Sequence, residues 1–76
     1  MRMPLNDRVI AILGEEVGPS ARVVLSRCSR TSLGKTPDDL VPTDLPVLAD
    51  AVHAAVRATL GEGIAARIRQ GILALR

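Results

Sequence analysis

The interior of this chain has to be filled without any aromatic side chain, because the sequence contains no Phe, Tyr or Trp. Hydrophobic residues nevertheless make up 47% of its 76 residues. Side chains the size of Leu, Ile, Val, Ala and Met suit closely spaced helices better than the thick core of a β-sandwich. The composition therefore favours an all-α fold, and the length leaves room for one core in a single helical domain over residues 1–76.

Aliphatic residues recur at helical spacing in four segments, and Gly or Pro residues separate these segments. Asn6 is predicted to cap the first helix, which ends at Gly18-Pro19. The second helix is predicted from Pro19 to Leu33, with Gly34 as its stop. Thr43 is predicted to cap a third helix from Asp44 to Leu60, and a fourth begins at Glu62 after Gly61. An additional helical turn is expected at about 37–41. We therefore predict a compact bundle of four short helices.

Charge, cysteine content and hydropathy indicate the cellular compartment of the chain and the kinds of partner that it could contact. Ten basic and eight acidic residues leave a net charge of +2, which permits contact with nucleic acid without demanding it. Cys28 is the single cysteine and cannot close an internal disulfide, as is typical of a reducing compartment. No apolar run reaches the roughly 18 residues of a membrane span, and Arg2, Asp7 and Arg8 would interrupt the apolar part of a signal peptide. We expect a cytoplasmic protein that makes no membrane contact.

Four features could suggest catalysis, and each has a simpler explanation. Residues 29–36 end in Gly-Lys-Thr, but a phosphate-binding loop needs glycine where Ser29 stands and follows a strand. Cys28 lies on a predicted apolar face as a buried thiol, and His53 lacks the further ligands of a metal site. The acidic cluster within residues 38–44 fits helix starts. We therefore predict no enzyme activity, no cofactor, no metal site and no small-molecule substrate.

Apolar and small side chains also lie on helix faces that the predicted core does not use. A domain this small is short of core, and contact with another protein would bury these side chains. We therefore predict a non-enzymatic protein–protein interaction or oligomerisation module, adaptor-like, whose partner is another protein or a second copy in a homo-oligomer. The predicted interface residues are Val23, Val47, Asp50, Ala51, Ala54, Arg57, Ala58 and Leu73.

An alternative function rests on the opposite side of the second helix. Arg22, Arg27 and Arg30 lie together on it and could contact phosphates, as the recognition helix of a helix-turn-helix protein does. No asparagine or glutamine accompanies them to read adenine, and no aromatic residue is present to stack on a base. A small DNA-binding protein is therefore the second hypothesis.

Overall fold

Four α-helices carry the fold in the computed structural model, which describes residues 4–75. They are α1 (Leu5–Val17), α2 (Ala21–Cys28), α3 (Leu45–Leu60) and α4 (Glu62–Leu73). Between them lie 3₁₀ turns at Gly18–Ser20, Pro37–Asp39 and Pro42–Asp44 and a π-helical turn at Ser29–Leu33. None of the described residues forms a β-strand. The predicted all-α class is confirmed.

The helix stops occur where the sequence predicted them, but the start of α1 does not. α1 ends at Val17 and α3 at Leu60, each followed by a glycine with positive φ. Asn6 does not cap α1, which already begins at Leu5 after Pro4. The prediction was wrong because Pro4 has a φ of −55° and can lead directly into a helix. Asn6 Nδ2 instead donates to Asp38 Oδ1 over 3.1 Å and links α1 to the 3₁₀ turn at Pro37–Asp39.

The predicted second helix is a succession of three helical geometries. The chain changes from the 3₁₀ turn at Gly18–Ser20 to α2 and then to the π-helical turn at Ser29–Leu33. In that last turn the carbonyl oxygen of Ser29 accepts from the amides of Gly34 and Lys35. Gly34 stops it as predicted, in the left-handed conformation that glycine adopts without a steric penalty. Helical pairing thus continues to Leu33, but with a wider turn than an α-helix.

Asp44, and not Thr43, organises the start of α3. Its Oδ2 atom accepts from the backbone amide of Val41 over 3.1 Å and from Lys35 Nζ over 2.7 Å. The hydrogen bond from Lys35 is the main reason why the pKa of the Asp44 carboxyl is lowered, and the Val41 amide acts in the same direction. A 3₁₀ turn at Pro42–Asp44 therefore comes first, and α3 begins one residue later than predicted.

The core is aliphatic and draws on every α-helix. Its largest fully buried hydrophobic side chains are Val9, Leu13, Leu25, Leu45, Leu48, Val52, Ile68 and Ile72. α3 and α4 share the most extensive contact, and Ala49 and Ala65, both without solvent exposure, allow these two helices to approach closely. α1 packs on α2 and α4, and α2 packs on α3. One side of α2 and the adjoining side of α3 remain uncovered.

Gly71 marks a close approach between α4 and α1. A Cβ atom at Gly71 would lie 2.9 Å from Ile12 Cγ2, whereas one at Gly14 would meet no atom within 4 Å. We expect Gly71→Ala to lower the free energy of unfolding by about 1 kcal/mol. Overpacking destabilises by about 1–3 kcal/mol, and the higher helix propensity of alanine offsets up to about 1 kcal/mol of this loss. Gly14→Ala should raise it by about 0.5–1 kcal/mol. Urea denaturation measures both.

A double-mutant cycle checks the cause of the Gly71 effect. If the added methyl group clashes with Ile12, the cost of Gly71→Ala should disappear when Ile12→Ala is already present. Equal costs of Gly71→Ala in the two backgrounds would contradict a contact between these residues.

Candidate protein-interaction surface

The structure places the predicted interface residues in three different environments. Val23 and Val47 are exposed, with 63% and 48% of their surface accessible, and Ala54 and Ala58 are exposed as well. Val47, Ala54 and Ala58 form one row by helical spacing, which we call the outer row of α3. Leu73 and Ala51, in contrast, are partly buried and pack against the core.

The two charged members of the predicted interface are engaged with α4. Asp50 Oδ1 accepts from Arg69 Nε over 2.8 Å, and Arg57 Nε lies 3.7 Å from Glu62 Oε2. His53 joins the second pair, since its Nε2 atom lies 3.1 Å from Glu62 Oε1. These contacts connect α3 to α4, so Asp50 and Arg57 already have partners within the chain.

An apolar groove runs between α2 and α3, and we call it the α2–α3 groove. It consists of two adjoining depressions of about 380 Å³ and 220 Å³, which share Val24, Ala55 and Thr59 in their walls. The remaining lining residues are Glu16, Val17, Ser20, Val56 and Leu60 in the larger depression and Val23, Arg27 and Cys28 in the smaller one. Most of these side chains are aliphatic, and Leu60 is 41% exposed.

Cys28 belongs to the wall of the smaller depression and is buried, as the sequence predicted. Burial raises the pKa of the Cys28 thiol, and the positive charge of Arg27 acts in the opposite direction without cancelling the effect. The thiol is therefore protonated at neutral pH and is a poor nucleophile. Its contribution to the groove is apolar surface.

The exposed side of α2 next to the groove is basic. Arg22, Arg27 and Arg30 surround an open depression of about 450 Å³ together with Val23, Ser26 and Thr31, and we call these three arginines the arginine face. Within residues 4–75, no carboxylate lies within 4.0 Å of any of the three. Arg27 borders both this depression and the groove. The structure therefore brings a basic edge and an apolar groove together.

The other arginines of α3 and α4 differ from the arginine face in having acidic partners. Arg69 and Arg57 form the pairs described above, and Arg67 Nη2 lies 3.7 Å from Glu16 Oε2. Glu16 is the acidic residue in the wall of the larger depression, and its carboxylate is already paired with Arg67. Within residues 4–75, the arginines without an acidic partner are therefore those of the arginine face and Arg8 of α1.

Sequence reasoning found Val23 and the three arginines but missed the groove itself. By helical spacing, Val24 and Ala55 fall among the residues expected to face the core, and Leu60 marks the end of the predicted third helix. The adjacent pair Val23-Val24 was a possible signal, because two consecutive valines on a short helix cannot both face the same side. The groove could not be derived, since it depends on how α2 and α3 are placed relative to each other.

Three further features of the described residues concern metal binding, membrane insertion and a buried hydroxyl group. Residues 4–75 contain no group of three His, Cys, Asp or Glu side chains that could hold a metal ion. Over the same range, no helix has the length and apolar character needed to cross a membrane. Ser29 is fully buried, and its Oγ atom has no hydrogen-bond partner among these residues.

A comparison of the chain with protein-family models, with curated proteins and with solved structures found no match.

Proposed function

We propose that this chain is a small, non-enzymatic protein-interaction module that binds a partner protein in the α2–α3 groove. The observation that carries this proposal is the mainly aliphatic lining of the groove, with Val23 and Leu60 exposed at its edge. Exposed apolar surface bordered by polar residues is typical of interaction sites. Each square ångström of apolar surface that a partner covers favours binding by about 25 cal/mol before the costs of association.

The outer row of α3 extends the same surface. Ala58 lies three residues after Ala55 on α3, and residues at that spacing are neighbours on a helix. Small side chains at Ala54 and Ala58 let a bound segment lie close to the helix backbone, and Val47 adds apolar area farther along the row. We propose the groove as the centre of the interface and the outer row as its margin. The buried thiol of the single cysteine fits a cytoplasmic location for such a module.

Site-specific photo-crosslinking tests the proposed position of the interface. A benzophenone amino acid is placed at Val23, at Val47 or, as a control, at Arg8, which is exposed on α1. We expect one discrete protein adduct in the native host from position 23 and none from position 8. The captured protein, purified separately, should bind the unmodified chain and fail to bind a Val23→Asp variant of unchanged helicity.

Three results of this experiment would contradict the groove as the centre of the interface. An adduct from position 47 alone would move the interface to the outer row of α3. An adduct of two copies of the chain would make self-association the function. Absence of any adduct at position 23 in the native host would remove the support for a docked protein.

DNA binding is the second candidate, favoured by the arginine face, whose three side chains have no acidic partner within residues 4–75. It predicts that random duplex DNA is bound, with a logarithmic salt slope of about 0.9 per phosphate contacted. Binding should then disappear in the Arg22→Gln/Arg27→Gln/Arg30→Gln variant. On our proposal the unmodified chain does not retard this DNA at 150 mM salt.

A further inference from the structure

We infer that the partner segment in the α2–α3 groove is an acidic amphipathic helix of another protein. This inference rests on the proposed function and specifies the occupant of the same surface. It follows from the shape of the groove, from the charge along its edge and from the symmetry that a second copy would impose.

The shape of the groove suits a short helix. Its long walls are the sides of α2 and α3, and the end of α1 borders the larger depression. A partner helix fits such a groove with apolar side chains at positions i, i+3 or i+4, and i+7. α2 has eight residues and therefore extends for about 12 Å at 1.5 Å per residue. About two turns of a partner helix cover that distance. Two or three aliphatic side chains would then lie against Val24, Ala55 and Leu60.

The charge along the groove favours an acidic partner. Arg27 lies in the groove wall, and Arg22 and Arg30 continue the arginine face outward from it. None of the three has a carboxylate partner within residues 4–75. Glu16 lines the larger depression, and its carboxylate lies 3.7 Å from Arg67 Nη2. Glu or Asp residues on one flank of the partner helix would therefore meet these guanidinium groups, which can donate two parallel N–H hydrogen bonds to one carboxylate.

A second copy and a nucleic acid fit the same surface less well. In a two-fold symmetric dimer centred on α2, the arginine face of one copy would approach that of the other, and like charges would repel. A nucleic acid would use the arginines but leave Val23 and Leu60 without an apolar partner. The chain also has no aromatic side chain on which a base could stack.

Two matched synthetic peptides test the inference on the full chain. Both are amphipathic helices of about four turns with the same Leu row, and they differ only in having Glu or Lys along one flank. Amide shifts of the isotope-labelled protein are followed during titration of each peptide. We expect the Glu peptide to shift the amides of Val23, Val24 and Thr59 and to bind about tenfold more tightly than the Lys peptide, a difference of about 1.4 kcal/mol.

Charge reversal provides the matched control variants. Arg22→Glu/Arg27→Glu should invert the preference, so that the Lys peptide binds more tightly, whereas Arg8→Glu should leave the preference unchanged because Arg8 lies on α1. The substituted side chains are exposed, so helicity should be retained, and circular dichroism checks this. Inversion of the preference in the double variant alone would support an acidic partner.

The results that overturn the inference differ from those that overturn the proposed function. Equal affinity of the two peptides, with the same groove amides shifted, would refute the acidic character while leaving the groove as a protein-binding site. Failure of both peptides at millimolar concentration, while crosslinking at position 23 still captures a protein, would refute the helical partner. If random duplex DNA shifts the arginine-face amides and neither peptide does so, the occupant is a nucleic acid and not a helix.

Discussion

Replacing Leu48 by Ala should lower the free energy of unfolding by about 2–5 kcal/mol, enough to unfold much of the population of a domain this small. Leu48 has no solvent exposure and lies near the middle of the core. The loss combines the transfer free energy of the removed isopropyl group with the cost of the cavity that it leaves. Circular dichroism during urea or thermal denaturation measures the change.

Leu60→Ala is the matched control on the same helix. Leu60 is 41% exposed and lines the α2–α3 groove, so its truncation removes fewer buried contacts. We expect a loss of less than about 1 kcal/mol. Similar losses for the two variants would contradict the orientation of α3 described above.

Gly61→Ala should destabilise the protein by about 1–3 kcal/mol, although an added Cβ at this position would meet no atom within 4 Å. The cost is conformational, since Gly61 has φ 93° and ψ 168°, a backbone region that is essentially restricted to glycine. Gly61 is the only residue between α3 and α4, and its conformation sets the direction in which α4 leaves α3. Denaturation followed by circular dichroism measures the loss.

Gly63→Ala provides the control for the Gly61 prediction. Gly63 lies within α4, has no positive φ and would also gain a Cβ without a neighbour. Alanine should be neutral there or stabilise the helix by up to about 0.5–1 kcal/mol. If both substitutions changed the stability by the same amount, backbone conformation at Gly61 would not be the cause.

The helix ends show which parts of this fold can be predicted from residues that are close together in the sequence. Val17, Leu33 and Leu60 end helical segments as predicted, because each precedes a glycine that takes up a positive φ. The start of α1 was wrongly predicted at Asn6. Pro4 and Asn6 are both compatible with a helix start, and the helix begins directly after Pro4. The π-helical turn at Ser29–Leu33 has no distinct sequence pattern, since its residues would also fit an ordinary α-helix.

The candidate surface was only partly visible in the sequence. Val23 and the arginine face were recognised because they lie off the aliphatic row of one helix, which spacing alone determines. Ala51 and Leu73 looked equally exposed by spacing, but they pack against the core. Asp50 and Arg57 looked like free rim charges, yet each meets a residue of α4. Burial and ion pairing depend on neighbouring helices, which helical spacing does not describe.

By itself, therefore, the sequence determined the all-α class and the glycine stops, because these depend on interactions within a few residues along the chain. Only the tertiary structure decided that α2 and α3 leave an apolar groove beside three arginines that have no acidic partner within residues 4–75. The physical reason is that a groove is a property of the distance and angle between two helices, and packing of the whole aliphatic core fixes both.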